Sequence, residues 1–296
     1  MKTNISRRNA LKTLSGSAAV IAATAASLSQ RLSAAENAGA GALKGRTNHS
    51  VCKWCYPKVS LEEMCKAGKE MGLQSIELLE EKDFPTLKEH GLVCAMVSGV
   101  PGGIGSGLNR TENHDKIVEY FEHILPIAAK MGYPNVICFS GNRKGMSEEQ
   151  GLENCAIGLK RIVGTAEKHN VNVVMELLNS KVDHKDYMCD HSAWGVELCK
   201  KVGSDRFKLL YDIYHMQIME GDLCATIKKN HQYFAHYHTG GVPGRHEIDE
   251  TQEINYPLVM KTIIETGYKG FVAQEFIPKR SDALDSLKQG VTICDV

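Results

Sequence analysis

Four residues at the ends of apolar runs could do chemistry together. Glu176 closes Val173-Val174-Met175, Asp212 closes Leu209-Leu210-Tyr211, His238 closes Phe234-Ala235-His236-Tyr237, and Glu275 closes Phe271-Val272-Ala273-Gln274. Successive members lie 36, 26 and 37 residues apart. Three carboxylates and an imidazole brought to one partly buried point cannot stay unpaired, because the like charges raise one another's pKa. A single divalent metal ion resolves that repulsion, and an oxygen and nitrogen donor set with little sulfur suits Mn²⁺, Mg²⁺, Co²⁺ or Zn²⁺. Taken singly, each residue has an ordinary structural explanation: a strand-end carboxylate caps a helix, and a buried histidine belongs to a hydrogen-bonded core. Four of them in register favour a site.

Further polar residues fall within reach of that point. His215 follows Asp212 by three positions, and Arg245 and His246 follow His238 by seven and eight, in a loop loosened by Gly240, Gly241 and Gly244. An arginine there offers a planar fork of donors to a substrate oxygen or carboxylate, and the competing expectation is a loop-ordering salt bridge to Glu247 or Asp249. Asn179, Lys181, Asp183 and His184 are rim candidates. The glycine-rich stretch 98–109, SGVPGGIGSGLN, lacks the Lys-Ser/Thr ending of a phosphate loop and is expected to be a mobile lid.

Positioning these residues requires a particular scaffold. Strand-like runs occur at 50–54, 75–79, 93–98, 135–139, 172–176, 208–212, 234–238 and 270–275, and capped helical stretches separate them. Eight βα units in about 245 residues is the size of a single (β/α)₈ TIM barrel, an α/β fold whose sites sit at the C-terminal strand ends. A doubly wound open sheet would usually carry a Gly-rich turn after its first strand, and Cys55-Tyr-Pro-Lys-Val-Ser60 is not one. On this reading His236 faces the barrel wall or a packing layer.

The N-terminus is read separately. Ser6-Arg7-Arg8-Asn9-Ala10-Leu11-Lys12 fits a twin-arginine export signal spanning 1–35, with a small-residue cleavage candidate at Ser33-Ala34-Ala35 and an Ala/Gly-rich linker at 36–48 before a catalytic domain at 49–296. Its apolar stretch of about 16 residues is short of the roughly 20 that span a bilayer, so no stable membrane span is expected in the mature chain. The expected location is periplasmic, or tethered on the outer side of the inner membrane. The chain has 35 basic and 35 acidic residues; residues 1–35 hold five basic and no acidic ones, leaving 30 against 35 and arguing against a nucleic-acid partner. The ten cysteines sit mostly in apolar runs and are expected to be free and buried. Cys52-Lys-Trp-Cys55 has no second CxxC to complete a zinc site, which favours a structural or pocket-rim role.

The stretch Val242-Pro-Gly-Arg-His-Glu247, with Glu253-Ile-Asn-Tyr256 beyond it, resembles the segment typical of hydroxypyruvate isomerases. These belong to the sugar isomerase/epimerase superfamily of metal-dependent, xylose isomerase-like TIM barrels. Asp212-Ile-Tyr-His215 is also similar to the Asp-x-x-His of that superfamily's ketose 3-epimerases. The likeness spans about residues 49–290. It implies that Glu176, Asp212, His238 and Glu275 bind one divalent metal, that Glu176 and Glu275 are the acid/base pair, and that His215 and Arg245 hold substrate oxygens; His246, beside Arg245 in the loop, is expected on the same substrate side. The implied reaction is isomerisation of a small α-hydroxycarbonyl compound, hydroxypyruvate to tartronate semialdehyde, through an enediolate. The family's hydroxypyruvate isomerases place Gln where His238 stands and its ketose epimerases place His, so epimerisation of a ketose or keto-sugar is the alternative. A non-catalytic exported sugar-binding barrel is a third reading. The apurinic-site endonuclease branch needs further histidines from the second and third strands, where this chain has Glu77 to Glu80 and Met96 to Ser98. The expected partner is a small hydroxycarbonyl or sugar substrate; a homo-oligomer is left open.

Overall fold

The computed structural model describes residues 43–296. The export-signal reading and most of the proposed linker lie outside the described residues. The linker's last residues are part of the folded body: Lys44 donates its backbone N–H to Asp295 Oδ2 at 2.8 Å, and the first strand begins at Asn48. That strand therefore starts and ends two residues earlier than its apolar run predicts, because Lys53–Cys55 wind into a short 3-10 turn.

In chain order the elements are β1 (Asn48–Cys52), α1 (Leu61–Met71), β2 (Ser75–Glu77), α2 (Phe84–Glu89), α3 (His114–Met131), β3 (Asn135–Cys138), α4 (Glu148–His169) and β4 (Asn172–Glu176). They continue with α5 (Ser192–Val202), β5 (Phe207–Asp212), α6 (Ile213–Met219), α7 (Leu223–Asn230), β6 (Phe234–Thr239), α8 (Tyr256–Glu265), β7 (Phe271–Gln274) and α9 (Ala283–Cys294). Local chemistry sets the boundaries. Ser60 caps α1 by accepting from Glu63 N at 3.1 Å, and α1 stops at Gly72, whose φ of 84° costs a glycine little.

The strands are parallel in the order β2-β1-β7-β6-β5-β4-β3. The segment 93–97 fills the gap between β2 and β3 and closes the ring, bridging Ser75 and Leu79 on one side and Val136 on the other. Leu78 N donates to Met96 O at 2.9 Å, and Val97 N to Asn135 O at 2.9 Å. This is the expected third strand with its ladder interrupted at Ala95. There the backbone N–H is taken by Ser75 Oγ at 2.9 Å and the carbonyl by Asn135 Nδ2 at 2.9 Å, so side chains stand in for ladder partners. The architecture is the (β/α)₈ barrel expected from the sequence.

Side-chain alternation along the strands separates two apolar layers. Met96, Ile137, Val174 and Leu210 form a compact layer inside the barrel. The larger cluster lies between strands and helices, as at Tyr237, whose ring packs edge-on against Tyr268 at 4.9 Å. Two residues beyond each interior residue, on the same face, come Ser98, Phe139, Glu176 and Asp212. The interior layer is therefore the floor beneath the barrel mouth. The ten cysteines are all free, and all but Cys224 are buried.

Candidate active site

The C-terminal ends of four neighbouring strands deliver the four expected residues to one place. Asp212 and His238 are direct register partners across β5 and β6, and His238 pairs with Ala273 of β7. Glu275 follows β7 and is held level by its N–H to Thr239 O at 3.0 Å. One ligand atom each from Glu176, Asp212, His238 and Glu275 lies within 4.8 Å of all the others, and all four residues are buried.

Their electrostatics are strained by proximity. Burial and the charge of Glu275 push Glu176 above the usual carboxylate range. Burial also pushes Asp212 up, to about 8, although Arg245 works against it. For Glu275 burial acts in the same sense, but Arg245 and His238 outweigh it and hold the carboxyl well below that range. Burial favours neutral His238, and the contacts with Cys52, Glu275 and Glu176 oppose this and raise it. Burial keeps the Cys52 thiol protonated, so the carboxylates carry that effect. His238 Nδ1 lies 2.7 Å from Glu275 Oε2 and 3.4 Å from Glu176 Oε1, yet neither approach has hydrogen-bond alignment. Glu176 Oε1 likewise has no aligned partner.

This donor set fits a divalent metal: three carboxylates and an imidazole nitrogen converge, two of their buried atoms lack aligned partners, and two of the carboxylates resist ionisation without added positive charge. Glu176, Asp212, His238 and Glu275 would be the ligands.

Arg245 comes closer to this cluster than its sequence context suggests. Its Nη2 bonds Asp212 Oδ2 at 3.1 Å and also Glu275 Oε2, while its Nε donates to Glu275 O at 3.1 Å. The guanidinium lies 5.3 Å from the Trp54 ring centroid and 5.2 Å from that of Tyr214. The loop salt bridges weighed for Arg245 are not what forms: Glu247 instead accepts the backbone N–H groups of Lys279 and Arg280, at 2.8 and 3.0 Å.

His215 is fully buried, with Nε2 2.9 Å from Arg245 Nη1 and Nδ1 2.7 Å from Asn179 Nδ2. Burial and Arg245 depress its pKa well below the ordinary value and keep it neutral. Among the rim candidates, Asn179 reaches Asp183 Oδ2 at 2.6 Å and His184 lines the mouth, whereas Lys181 turns away to bond Ile218 O at 2.9 Å. His246 is not brought to the cluster. Its half-buried ring places Nδ1 2.9 Å from Ile277 O, and it does not line the cavity.

The cluster opens into a cavity of about 420 Å³ whose polar lining includes Glu176, Glu275, Arg245 and His184. Leu78, Ile104, Ile137, Phe139, Leu178 and the half-exposed Trp54 form the rest of its wall. From the stretch expected to be a lid, Ser98 and Ile104 reach this wall. Its far end is anchored instead, with Leu108 N bonded to Phe139 O at 3.0 Å and Asn109 N to Ser140 O at 2.8 Å.

Two residues that the sequence reading left out of the site belong to it. Trp54 donates its indole N–H to Glu275 Oε1 at 2.7 Å, fixing that carboxylate from the first strand. Glu77, fully buried at the end of β2, lies with one oxygen 2.7 Å from His236 Nε2 and 2.9 Å from His238 Nε2. Burial would push Glu77 up, but the two histidines outweigh it and bring it down to about 2. His236 therefore faces the barrel interior like His238, two residues away. A buried histidine two positions before a proposed ligand needs a partner on the same face, and that requirement was the available signal.

Residues 65–292 match the profile of a family described as the xylose isomerase-like TIM barrel. A Homo sapiens protein carrying the name hydroxypyruvate isomerase is 26% identical over 257 residues, covering 79% of this chain and 90% of that protein. A 2-oxo-tetronate isomerase from Pectobacterium atrosepticum is 25% identical over 238 residues, covering 76% of this chain and 89% of its own length. A crystal structure of an AP endonuclease of family 2 from Brucella melitensis superposes with a TM-score of 0.72 at 25% identity, over 81% of this chain and 96% of that one.

Proposed function

Because the chain belongs to the xylose isomerase-like TIM-barrel family, we propose that it is a metal-dependent isomerase of small α-hydroxycarbonyl compounds, with hydroxypyruvate as the first substrate to test. The observation that carries this reading is the convergence of Glu176, Asp212, His238 and Glu275 at the mouth of a cavity into which both glutamates project. A divalent ion held by these residues supplies Lewis-acid polarisation of a substrate carbonyl, which makes the neighbouring C–H acidic.

The chain's own groups do the rest. Glu176, which lines the cavity and has an oxygen free of aligned partners, is the better placed of the pair to take a proton from carbon. Glu275 is fixed by Trp54 and Arg245 and faces the same space, so it serves as the second acid/base group. For hydroxypyruvate, a proton leaves C3 and one is returned to C2, giving tartronate semialdehyde through an enediolate. Arg245 is the cationic donor lining the cavity, and His215, buried behind it with Nε2 2.9 Å from Arg245 Nη1, would act on a substrate oxygen through that guanidinium. His246, bonded to Ile277 O, is assigned no part in this scheme.

One observation favours the second reading, epimerisation of an uncharged ketose or keto-sugar. The cavity of about 420 Å³ falls in the range of roughly 300–1,000 Å³ typical of ligand sites and is far larger than a three-carbon acid fills. Its single arginine is already bound to two carboxylates, which leaves little for a substrate carboxylate, while Trp54 and the apolar wall suit a sugar face.

The experiment is solvent-deuterium incorporation by the metal-loaded full chain, offered hydroxypyruvate and, separately, a panel of ketoses and 3-keto sugars. Exchange into hydroxypyruvate with formation of the semialdehyde supports the first reading, and exchange only into sugars supports the second. Sugar binding without exchange into any substrate would mean a binding protein and sink both. Export through the twin-arginine pathway to the periplasm, or to the outer side of the inner membrane, rests on Ser6-Arg7-Arg8 and is tested by cell fractionation with Arg7 and Arg8 replaced by Lys. Among the described residues no helix is long and apolar enough to cross a membrane.

A further inference from the structure

The site's donor set contains one imidazole, and which of its two nitrogens carries a proton decides whether it can act as a ligand at all. A neutral histidine has one N–H and one lone pair. Left alone against Glu176 and Glu275, His238 would place its proton on Nδ1, facing those carboxylates, and present no lone pair to the centre of the cluster.

We infer that Glu77 is a positioning residue that fixes His238 in its Nε2–H form and so aims the Nδ1 lone pair at the site. This rests on the metal-dependent reading proposed above. Glu77 Oε1 lies 2.9 Å from His238 Nε2, at the opposite end of the ring from the cluster. The carboxylate comes from β2, in register with Cys52, and is fully buried. It is itself held: His236, on the same face of β6 as His238, places Nε2 2.7 Å from the same oxygen. An ionised carboxylate only accepts, so both Nε2 atoms must be donors. His238 Nε2 also meets Cys52 Sγ at 3.7 Å, a weak partner that cannot replace a carboxylate. The result is a chain of Glu77, His238 and the metal position, with His236 steadying the carboxylate from the layer below. Carboxylates placed behind ligating histidines in this way orient the ring and raise its basicity, and losing one typically weakens metal binding by about 10–100-fold.

The test uses the full chain, Zn²⁺ as probe, chelator competition for affinity and ¹⁵N long-range spectra for the histidine protons. Glu77→Leu, which removes the acceptor altogether, should weaken Zn²⁺ binding by about 10–100-fold. His236→Gln, which leaves the Glu77 bond to His238 in place, should cost less than about tenfold. In the Zn²⁺-loaded wild type the His238 proton should sit on Nε2. Unchanged Zn²⁺ affinity in Glu77→Leu, or a proton on Nδ1 in the loaded wild type, overturns the inference. Should Glu77→Leu fail to fold, the wild-type spectrum still decides. A wild type that binds no Zn²⁺, Mn²⁺, Mg²⁺ or Co²⁺ defeats the metal reading instead. In that case the metal-free spectrum judges Glu77, because a His238 without a proton on Nε2 contradicts its role.

Discussion

Arg245 acts as an internal cation for the carboxylate cluster, and replacing it with Met separates that role from simple packing. Methionine keeps an apolar stem beside Trp54 and Tyr214 but removes the charge that bonds Asp212 and Glu275. Arg245 is 8% exposed, and the carboxylates it meets are 0% and 3% exposed, so solvent screening is slight. Removing one partner of a buried ion pair costs about 3–5 kcal/mol, since the remaining charge stays buried and unpaired. For a domain of this size each kcal/mol moves the melting midpoint by about 2–4 °C, so the metal-free variant should melt roughly 6–20 °C below wild type. A divalent ion at the same carboxylates should return much of that loss, about 2.7 kcal/mol at a hundredfold excess over Kd. The gain should be larger in the variant than in wild type, where the ion must compete with the guanidinium. Differential scanning calorimetry with and without Mn²⁺ measures both effects. A metal-free midpoint within about 2 °C of wild type, or equal gains from Mn²⁺ in the two proteins, would refute the account.

Other consequences are simpler to read out. Glu176→Gln should lower solvent-deuterium exchange into the substrate by about 10²–10⁴-fold, as measured by NMR, because it removes the better placed proton acceptor. Tyr256→Phe should cost roughly 1–3 kcal/mol in urea titration, since the buried hydroxyl accepts from Gly240 N at 2.8 Å and donates to Gly240 O at 2.7 Å. Burial lowers the pKa of His49 below its ordinary 6.5, and Asp295 at 3.7 Å, beyond hydrogen-bond length, only partly offsets it. The folded state then binds fewer protons than the unfolded one, so this contribution is complete above about 6.5 and fades as pH falls below it. Urea midpoints at pH 7.5 and 5.5 should differ less in His49→Gln than in wild type. Of the ten cysteines, only the partly exposed Cys224 should react quickly with a thiol reagent in the folded protein, and rapid labelling of Cys52 or Cys55 would contradict their burial.

The parts of this molecule legible in the sequence are those governed by a local period. Parallel strands buried on both faces read as apolar runs, and the residue ending each run faces the barrel mouth, so Glu176, Asp212, His238 and Glu275 could be picked out from spacing. The same logic is weaker at 93–97, where Ser75 and Asn135 side chains take the Ala95 ladder bonds; that exchange depends on neighbours 20 and 40 residues away and leaves no mark on the run itself. Arg245 shows a different boundary. Its type and loop were legible, but its position depends on a positive φ of 59° and on two carboxylates from β5 and the end of β7, so the sequence supported substrate recognition and loop salt bridges equally. His246, its neighbour, turns instead to the carbonyl of Ile277, a contact between this loop and the segment after β7 that its own stretch does not announce. Glu77 is the most instructive omission. It was considered only as a strand end that lacks a histidine, whereas as the partner that two buried histidines on one face of β6 require, it was a carboxylate closing β2, with β1 and β7 between the two strands. The groups that touch a substrate or metal can be found by asking what ends a strand. Those that orient them are found by asking what each buried donor must be bonded to.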